Sequence, residues 1–139
     1  MRLLVIHGPN LNLLGTRRPD VYGEATLENV NQAVRDAAPG HEVEVFQSNH
    51  EGELIDKLQQ SNVDGALLNP GGFSHTSVAL RDAVEAVSYP VVEVHLSNIH
   101  AREEFRRTSL ISEVSVGVVC GFGIHSYTAG VTALLGILQ

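Results

Sequence analysis

Five short apolar runs, each followed by a segment with helical periodicity, constrain the fold of this chain more than any other feature. The runs cover residues 3–6, 43–46, 66–68, 91–94 and 114–119, so strand and helix alternate along all 139 residues. Parallel strands need crossover connections, and right-handed helical crossovers leave few possible topologies. We therefore predict a single α/β domain over residues 1–139, with helices on both faces of a parallel sheet.

The predicted helices have recognisable boundaries. Thr26 can cap a helix that places Val30 and Val34 on one face and ends before Pro39. The other predicted starts are Ser48 or Asn49, Thr76 or Ser77, His100 for a short charged helix over 100–107, and Ser126 for a helix over 126–138. This pattern favours a flavodoxin-like, doubly wound sheet of order 2-1-3-4-5, in which ligands bind at the carboxyl ends of the strands, between the first and the third.

Polar side chains stand at the ends of three of the predicted strands. The first strand runs into His7 and Asn10, the third into Asn69, and the fourth into His95 and Ser97. The carboxyl ends of parallel strands meet at one edge of the sheet. We therefore expect these side chains to share one pocket.

The charge and composition exclude several classes of partner. A net charge of -7 argues against nucleic acid, because binding the phosphate backbone needs a basic surface. Cys120, the only cysteine, lies in an apolar run, as a core residue does. No apolar stretch approaches the ~18 residues that a spanning helix needs. These features predict a cytoplasmic protein with no membrane partner.

Five of the nine basic residues fall in two short segments: Arg17, Arg18, Arg102, Arg106 and Arg107. Such local clusters of positive charge can attract a small anion. The alternative is that these arginines lie on solvated faces.

The loop after the first strand is long and is bounded by Gly15 and Gly23, which is typical of a lid. Tyr22 lies in this loop near Arg17 and Arg18. Positive charges favour a phenolate, because they stabilise the ionised form and lower the pKa from its reference value of about 10. The alternative is a tyrosine whose ring packs against the body of the protein.

Several common kinds of site are missing from the sequence. The P-loop lysine and a G-x-G-x-x-G after the first strand are absent, and no G-x-S-x-G elbow supports a Ser-His-acid set built on Ser77 or Ser97. The seven histidines show no metal-ligand spacing, and His7 and His125 have no evident partner. The strand ends lack the carboxylates of a phosphoacceptor domain, and no Trp is present as a flavin platform. What remains is acid–base chemistry on a small, polar, anionic molecule.

Four motifs follow one another along nearly the whole chain. They are residues 7–15 (HGPNLNLLG); Arg17 with Pro19, Tyr22 and Gly23; Asn69-Pro70-Gly71 with His75-Thr76-Ser77 and Arg81-Asp82-Ala83; and Glu93-Val94-His95 with Ser97-Asn98, Arg102-Glu103 and Phe105-Arg106. Together they resemble the motifs of the type II 3-dehydroquinate dehydratases, whose fold is flavodoxin-like. The resemblance implies anti elimination of water from 3-dehydroquinate through an enolate, giving 3-dehydroshikimate in the shikimate pathway, without a cofactor or a metal.

The resemblance also implies a role for each matched residue. Tyr22 is expected to remove the proton next to the ketone, Arg17 to keep that phenol ionised, and Asn10 to hold a water against the enolate oxygen. His95 is expected to protonate the departing hydroxyl, and Glu93 to orient His95. The residues implied in substrate binding are Asn69, His75, Leu96, Ser97, Arg106 and, in a neighbouring subunit's site, Asp82.

The same resemblance implies a homododecamer built from trimers. The rival hypothesis is a non-catalytic binding or sensor module for a carboxylated polyol, which would use Asn69, Ser97 and Arg106. Tyr22 argues against that module, because binding alone needs no activated phenol. Lys57, the only lysine, lies in a helical pattern away from the polar loops, which argues against the Schiff-base chemistry of the unrelated type I enzymes.

Overall fold

The computed structural model describes residues 1–16, 18–22 and 24–139, with only the backbone of residues 21 and 22. Five parallel strands form one sheet in the predicted order β2-β1-β3-β4-β5, so the predicted topology is confirmed. The strands are β1 (Arg2–His7), β2 (Glu42–Gln47), β3 (Gly65–Asn69), β4 (Val91–His95) and β5 (Gly117–Cys120). The register places His7 level with Gln47 on one side and with Asn69 on the other, so the polar strand ends lie side by side.

Helices cover both faces of the sheet. They are α1 (Pro19–Tyr22), α2 (Leu27–Ala37), α3 (Glu51–Gln60), α4 (Val78–Ala86) and α5 (Ile124–Leu138). Side chains alternate across a strand, so Leu3 and Val5 pack with α2 and α5, whereas Leu4 and Ile6 pack with α3 and α4. Two apolar layers therefore hold β1 in place. Within the described ranges, no helix has the length and apolar composition needed to cross a membrane.

Of the first three predicted helix starts, two hold and one fails. Thr26 and Ser77 cap α2 and α4, each accepting a hydrogen bond from a backbone N–H three residues later. The predicted start of α3 was wrong, because His50 rather than Ser48 or Asn49 precedes the helix. Ser48 Oγ accepts the N–H of His50 at 2.9 Å and holds a turn just before the helix.

The predicted charged helix over 100–107 was also wrong. Two 3-10 helices, Ile99–Ala101 and Glu104–Arg107, replace it. Arg102 and Glu103 between them have extended backbone, which interrupts helical hydrogen bonding. The two short turns carry the arginine cluster along the edge of the sheet where the strands end.

The last strand and helix are shifted from their predicted positions. The strand was predicted over 114–119, but Ser112–Val114 form a 3-10 helix, and β5 begins only at Gly117. Helix α5 begins at Ile124, two residues before the predicted Ser126. Cys120 was predicted as a core residue, but it ends β5 only half-buried.

Gly8 brings the loops after β1 and β3 into direct backbone contact. Its N–H donates to the Asn69 carbonyl oxygen at 2.8 Å. A Cβ atom at this position would lie 2.7 Å from the Pro70 carbonyl oxygen, closer than any real side chain could approach. The absence of a side chain therefore allows the two loops to meet at the switch point between β1 and β3.

Candidate active site

A cleft of about 130 Å³ opens at the carboxyl ends of β1, β3 and β4. This is the edge of the sheet at which open α/β folds bind ligands. The cleft is lined by predicted site residues from three strand ends and the segments after them: Asn10, Asn69, His75, His95, Leu96, Ser97 and Arg106. These residues border one space, as the strand-end pattern predicts. His7 was expected in the same pocket, but this part of the prediction was wrong, because His7 is fully buried and does not line the cleft.

A larger cavity of about 490 Å³ lies elsewhere, beside the edge strand β2. Its charged groups already form ion pairs: Arg2 Nε with Glu42 at 3.0 Å and Lys57 Nζ with Glu44 at 3.0 Å. Because these charges neutralise one another, this cavity offers less to a reacting molecule than the smaller cleft. Neither cavity contains a metal site, since no three His, Cys, Asp or Glu side chains of the described residues come together.

His95 and Glu93 form a buried pair at the end of β4. They lie two residues apart, so both side chains are on the same face of the strand. His95 Nε2 is hydrogen-bonded to Glu93 Oε2, and Glu93 also accepts from Ser109 Oγ at 2.7 Å and Ser112 Oγ at 2.6 Å. Burial alone would raise the pKa of Glu93, but these hydrogen bonds, led by that of His95, hold the pKa below its ordinary value. Glu93 is therefore an anion that fixes the His95 ring and leaves Nδ1 for a ligand.

Two amides border the cleft with different freedom. Asn10 has a left-handed backbone (φ 70°), and its exposed side chain makes no hydrogen bond to another described residue. Asn69 is buried and held at both ends: Gly71 N–H donates to Oδ1 at 3.1 Å, and Nδ2 donates to Tyr127 OH at 2.9 Å. Asn10 can thus adapt to a water or ligand, whereas Asn69 presents a fixed amide.

His75 and Arg106 lie on the side of the cleft formed by the irregular segments after β3 and β4. His75 Nδ1 lies 2.8 Å from the Thr108 carbonyl oxygen. A carbonyl can only accept, so Nδ1 carries the proton and Nε2 is left for a ligand. Arg106 donates to Glu103, and this hydrogen bond lowers the pKa of Glu103 from its ordinary value. The arrangement places the free Nε2 edge of the His75 ring in the same cleft as the Arg106 guanidinium.

Leu96 and Ser97 continue the chain from β4 into the cleft. The Leu96 carbonyl oxygen accepts the N–H of Gly123 at 2.9 Å, which holds the segment in place. Arg102 Nη1 lies 3.5 Å from Ser97 Oγ, and Arg102 also lines the cleft. The Ser97 N–H donates to no other residue in the described part of the chain. A hydroxyl, a backbone N–H and a nearby guanidinium suit an anionic group such as a carboxylate.

Of the predicted site residues, buried Glu93 contacts the cleft only through His95, and three others are not placed in the cleft. Asp82 is exposed on α4 and does not line it. Arg17 and the side chain of Tyr22 lie outside the described residues. Their predicted roles therefore stay predictions from the sequence.

Sequence reasoning missed a buried polar cluster directly behind the cleft. His7, for which no partner was evident, is fully buried with hydrogen bonds to Tyr127 and Asn31. Ser109 and Ser112, which hold Glu93, were also missed. One signal was available: a tyrosine on an apolar helix needs a partner for its hydroxyl when buried. No comparable signal marks the two serines, because they lie in irregular chain.

The burial of His7 should make stability fall in mild acid. Burial lowers the pKa of His7 from 6.5 to about 4, against a smaller opposing effect of the hydrogen bond to Asn31. The unfolded chain therefore takes up a proton below pH 6.5 that the folded chain excludes. The stabilisation is complete above pH 6.5 and is lost as the pH falls towards 4, by about 3 kcal/mol in all.

Urea unfolding of the wild type and of His7→Gln between pH 7.5 and 4 measures this effect. Glutamine keeps a donor and an acceptor but does not titrate. The stability advantage of the wild type over His7→Gln should shrink as the pH falls. An advantage that is constant across this range would contradict the assignment of His7 as a neutral, buried imidazole.

Comparison with known proteins gives one consistent result. The family model for dehydroquinase class II matches residues 1–135. The chain is 54% identical to the 3-dehydroquinate dehydratase of Polynucleobacter asymbioticus, covering 99% of this chain and 95% of the relative, and 55% identical to that of Stenotrophomonas maltophilia, covering 96% and 95%. The crystal structure of type II dehydroquinase from Butyrivibrio crossotus superposes with a TM-score of 0.94 at 41% identity over 97% of both chains. The crystal structure of type II dehydroquinase from Propionibacterium acnes superposes with a TM-score of 0.82 at 34% identity, covering 99% of this chain and 95% of that chain.

Proposed function

Because the chain belongs to the dehydroquinase class II family, we propose that it is a hydro-lyase that converts 3-dehydroquinate to 3-dehydroshikimate in the shikimate pathway. The observation that carries this proposal is that His95, held by the buried carboxylate of Glu93, stands in one cleft with Asn69 and Ser97. A dehydration needs an acid to protonate the departing hydroxyl and polar groups to bind the substrate. His95, held by the Glu93 carboxylate, suits the first role, and Asn69 and Ser97 suit the second. The proposal places the reaction in the cytoplasm and requires neither metal nor cofactor.

The proposed reaction is an anti elimination through an enolate. The Tyr22 phenolate takes the proton from the carbon next to the ketone, and the electron pair of that C–H bond forms the enolate. Arg17 keeps Tyr22 ionised, and Asn10 holds a water against the enolate oxygen. The enolate then collapses to the conjugated double bond as the C–O bond breaks, and His95 gives a proton to the hydroxyl, which leaves as water.

Substrate binding in this proposal uses groups already ordered in the cleft. The Leu96-Ser97 segment takes the carboxylate, and this is supported by the Ser97 N–H, which donates to no other described residue. Asn69, His75 and Arg106 bind the remaining polar groups. His75 accepts through Nε2, since Nδ1 is engaged with Thr108.

We further propose that the active form is a homododecamer of trimers in which Asp82 completes a neighbouring subunit's site. Asp82 lies on the exposed side of α4, and Val78 on the same helix exposes 58% of its surface. An exposed aliphatic side chain beside a carboxylate suits burial against another copy. Sedimentation alongside the activity assay tests this: a fully active monomer would refute it.

The direct test of the function is turnover of 3-dehydroquinate, followed by the absorbance of the conjugated product. We expect activity with chelator present and without added nucleotide. Borohydride plus substrate should leave the enzyme active, because no imine forms. Lys57→Ala is the matched control, since Lys57 pairs with Glu44 beside the larger cavity and should be dispensable. Binding of dehydroquinate without turnover would instead support the rival binding or sensor module, and covalent trapping at Lys57 would contradict the mechanism.

A further inference from the structure

A buried chain of hydrogen bonds connects the interior of the protein to the cleft. Asn31 Oδ1 lies 2.7 Å from His7 Nε2, and His7 Nδ1 lies 3.0 Å from Tyr127 OH. Tyr127 OH accepts Asn69 Nδ2 at 2.9 Å, and Asn69 Oδ1 accepts Gly71 N–H at 3.1 Å. The four side chains come from α2, β1, α5 and β3, so the chain crosses from one helix layer to the end of the sheet.

The direction of every bond in this chain is determined. Gly71 N–H can only donate, so the amide oxygen of Asn69 must face it and Nδ2 must face Tyr127. Asn31 Oδ1 can only accept, so His7 carries its proton on Nε2 and accepts on Nδ1. Tyr127 therefore donates to His7 and accepts from Asn69. Each end of the chain requires the same arrangement, and no described buried side chain is left without a partner.

Asn69 is the one side chain of this network that also lines the cleft. His7 and Tyr127 are fully buried, and Asn31 exposes 8% of its surface. These three residues are thus too deep to touch a ligand. Their polar groups are costly to bury, and their hydrogen bonds converge on the Asn69 amide.

We infer that His7, Asn31 and Tyr127 are positioning residues that hold the Asn69 amide in one orientation, so that its second Nδ2–H is presented to the substrate as a donor. The inference rests on the proposed function, in which Asn69 binds substrate. An amide that could flip would offer an acceptor half of the time and would bind the same oxygen less well. The amide is already oriented before the substrate binds, so loss of this orientation should weaken substrate binding and raise KM rather than lower kcat.

Tyr127→Phe is the first test. It removes the hydroxyl that fixes Nδ2 and should raise KM about tenfold while changing kcat less than about threefold. Tyr89→Phe is the matched control, because Tyr89 OH donates to the Leu58 carbonyl at 2.6 Å, far from the cleft. It removes one partly buried tyrosine hydrogen bond and should lower the thermal midpoint without changing KM. An equal change of KM in both variants would overturn the inference.

A double-mutant cycle separates positioning from general damage. If Tyr127 acts through Asn69, then Tyr127→Phe should change KM less than about twofold in an Asn69→Ala background. A full tenfold effect in that background would show that Tyr127 acts by another route. Because the wild type and Tyr89→Phe are assayed together with these variants, an inactive wild type would refute the proposed function and not the positioning network.

Nitrogen NMR of the wild type tests the network without any activity or substitution. The His7 ring should be neutral at pH 7, with the proton on Nε2 and Nδ1 accepting. A proton on Nδ1 would reverse the Tyr127 hydrogen bond and would overturn the inference, even if Tyr127→Phe failed to fold.

Discussion

Replacing His95 with alanine is expected to lower kcat for 3-dehydroquinate dehydration by ~10²–10⁴-fold and to change KM little. Hydroxide is a poor leaving group unless it is protonated as it departs. His95 is the one histidine of the described cleft that is held by a buried carboxylate, so its loss removes the proposed acid. Rapid kinetics with saturating substrate would measure the loss directly.

His75→Ala is the matched control for that experiment. His75 borders the same cleft, but its partner is the Thr108 carbonyl rather than a carboxylate. It should therefore raise KM more than it lowers kcat. If His75→Ala lost turnover and His95→Ala lost only affinity, the two roles would have to be exchanged.

A substitution at Glu93 gives a second test of the role of His95. Glu93→Gln keeps the shape of the side chain but must turn an NH₂ group towards one of three donors, His95, Ser109 or Ser112. We expect kcat to fall in the same direction as in His95→Ala, with a lower thermal midpoint. Glu113→Gln is the control, because Glu113 forms an exposed ion pair with Arg81 at 3.0 Å and should be nearly neutral.

Tyr22→Phe should lower turnover by at least ~10²-fold and leave substrate binding largely intact, because it removes the proposed general base. Arg17→Ala should act in the same direction. It should also move the rise of activity to higher pH, since the Tyr22 phenol would ionise only at higher pH without the positive charge. A pH–rate profile of both variants measures these effects. Near-normal kcat in Tyr22→Phe would remove Tyr22 from the mechanism.

The regular part of the fold could be predicted because strand and helix periods are visible in the sequence. Period-two alternation places Glu93 and His95 on one face, and parallel topology places Asn69 beside them. The irregular segments could not be predicted in the same way. The segments 99–107 and 109–114 have no period, so neither the break at Arg102 nor the contact of Ser112 with Glu93 is encoded locally.

The partners of His7 show a second reason why part of the site could not be predicted from the sequence. They lie 24 and 120 residues away along the chain. A fold of the right topology still leaves open which polar side chains meet in its interior, because that depends on the depth and rotation of each helix. Here α5 approaches the sheet closely at Gly130, where a Cβ would lie 2.8 Å from Leu67. That close approach brings Tyr127 within reach of both His7 and Asn69.

The contact of Gly8 with Pro70 has a consequence for how substrate specificity can change. The loops after β1 and β3 form two walls of the cleft and contact each other through backbone atoms, so the distance between these walls does not depend on any side chain. Substitutions on those walls can alter which polar groups a ligand meets but cannot widen the gap between them. Selection for a bulkier substrate must therefore act on the opposite wall, where no backbone hydrogen bond among the described residues ties the short turns Ile99–Ala101 and Glu104–Arg107 to another wall of the cleft.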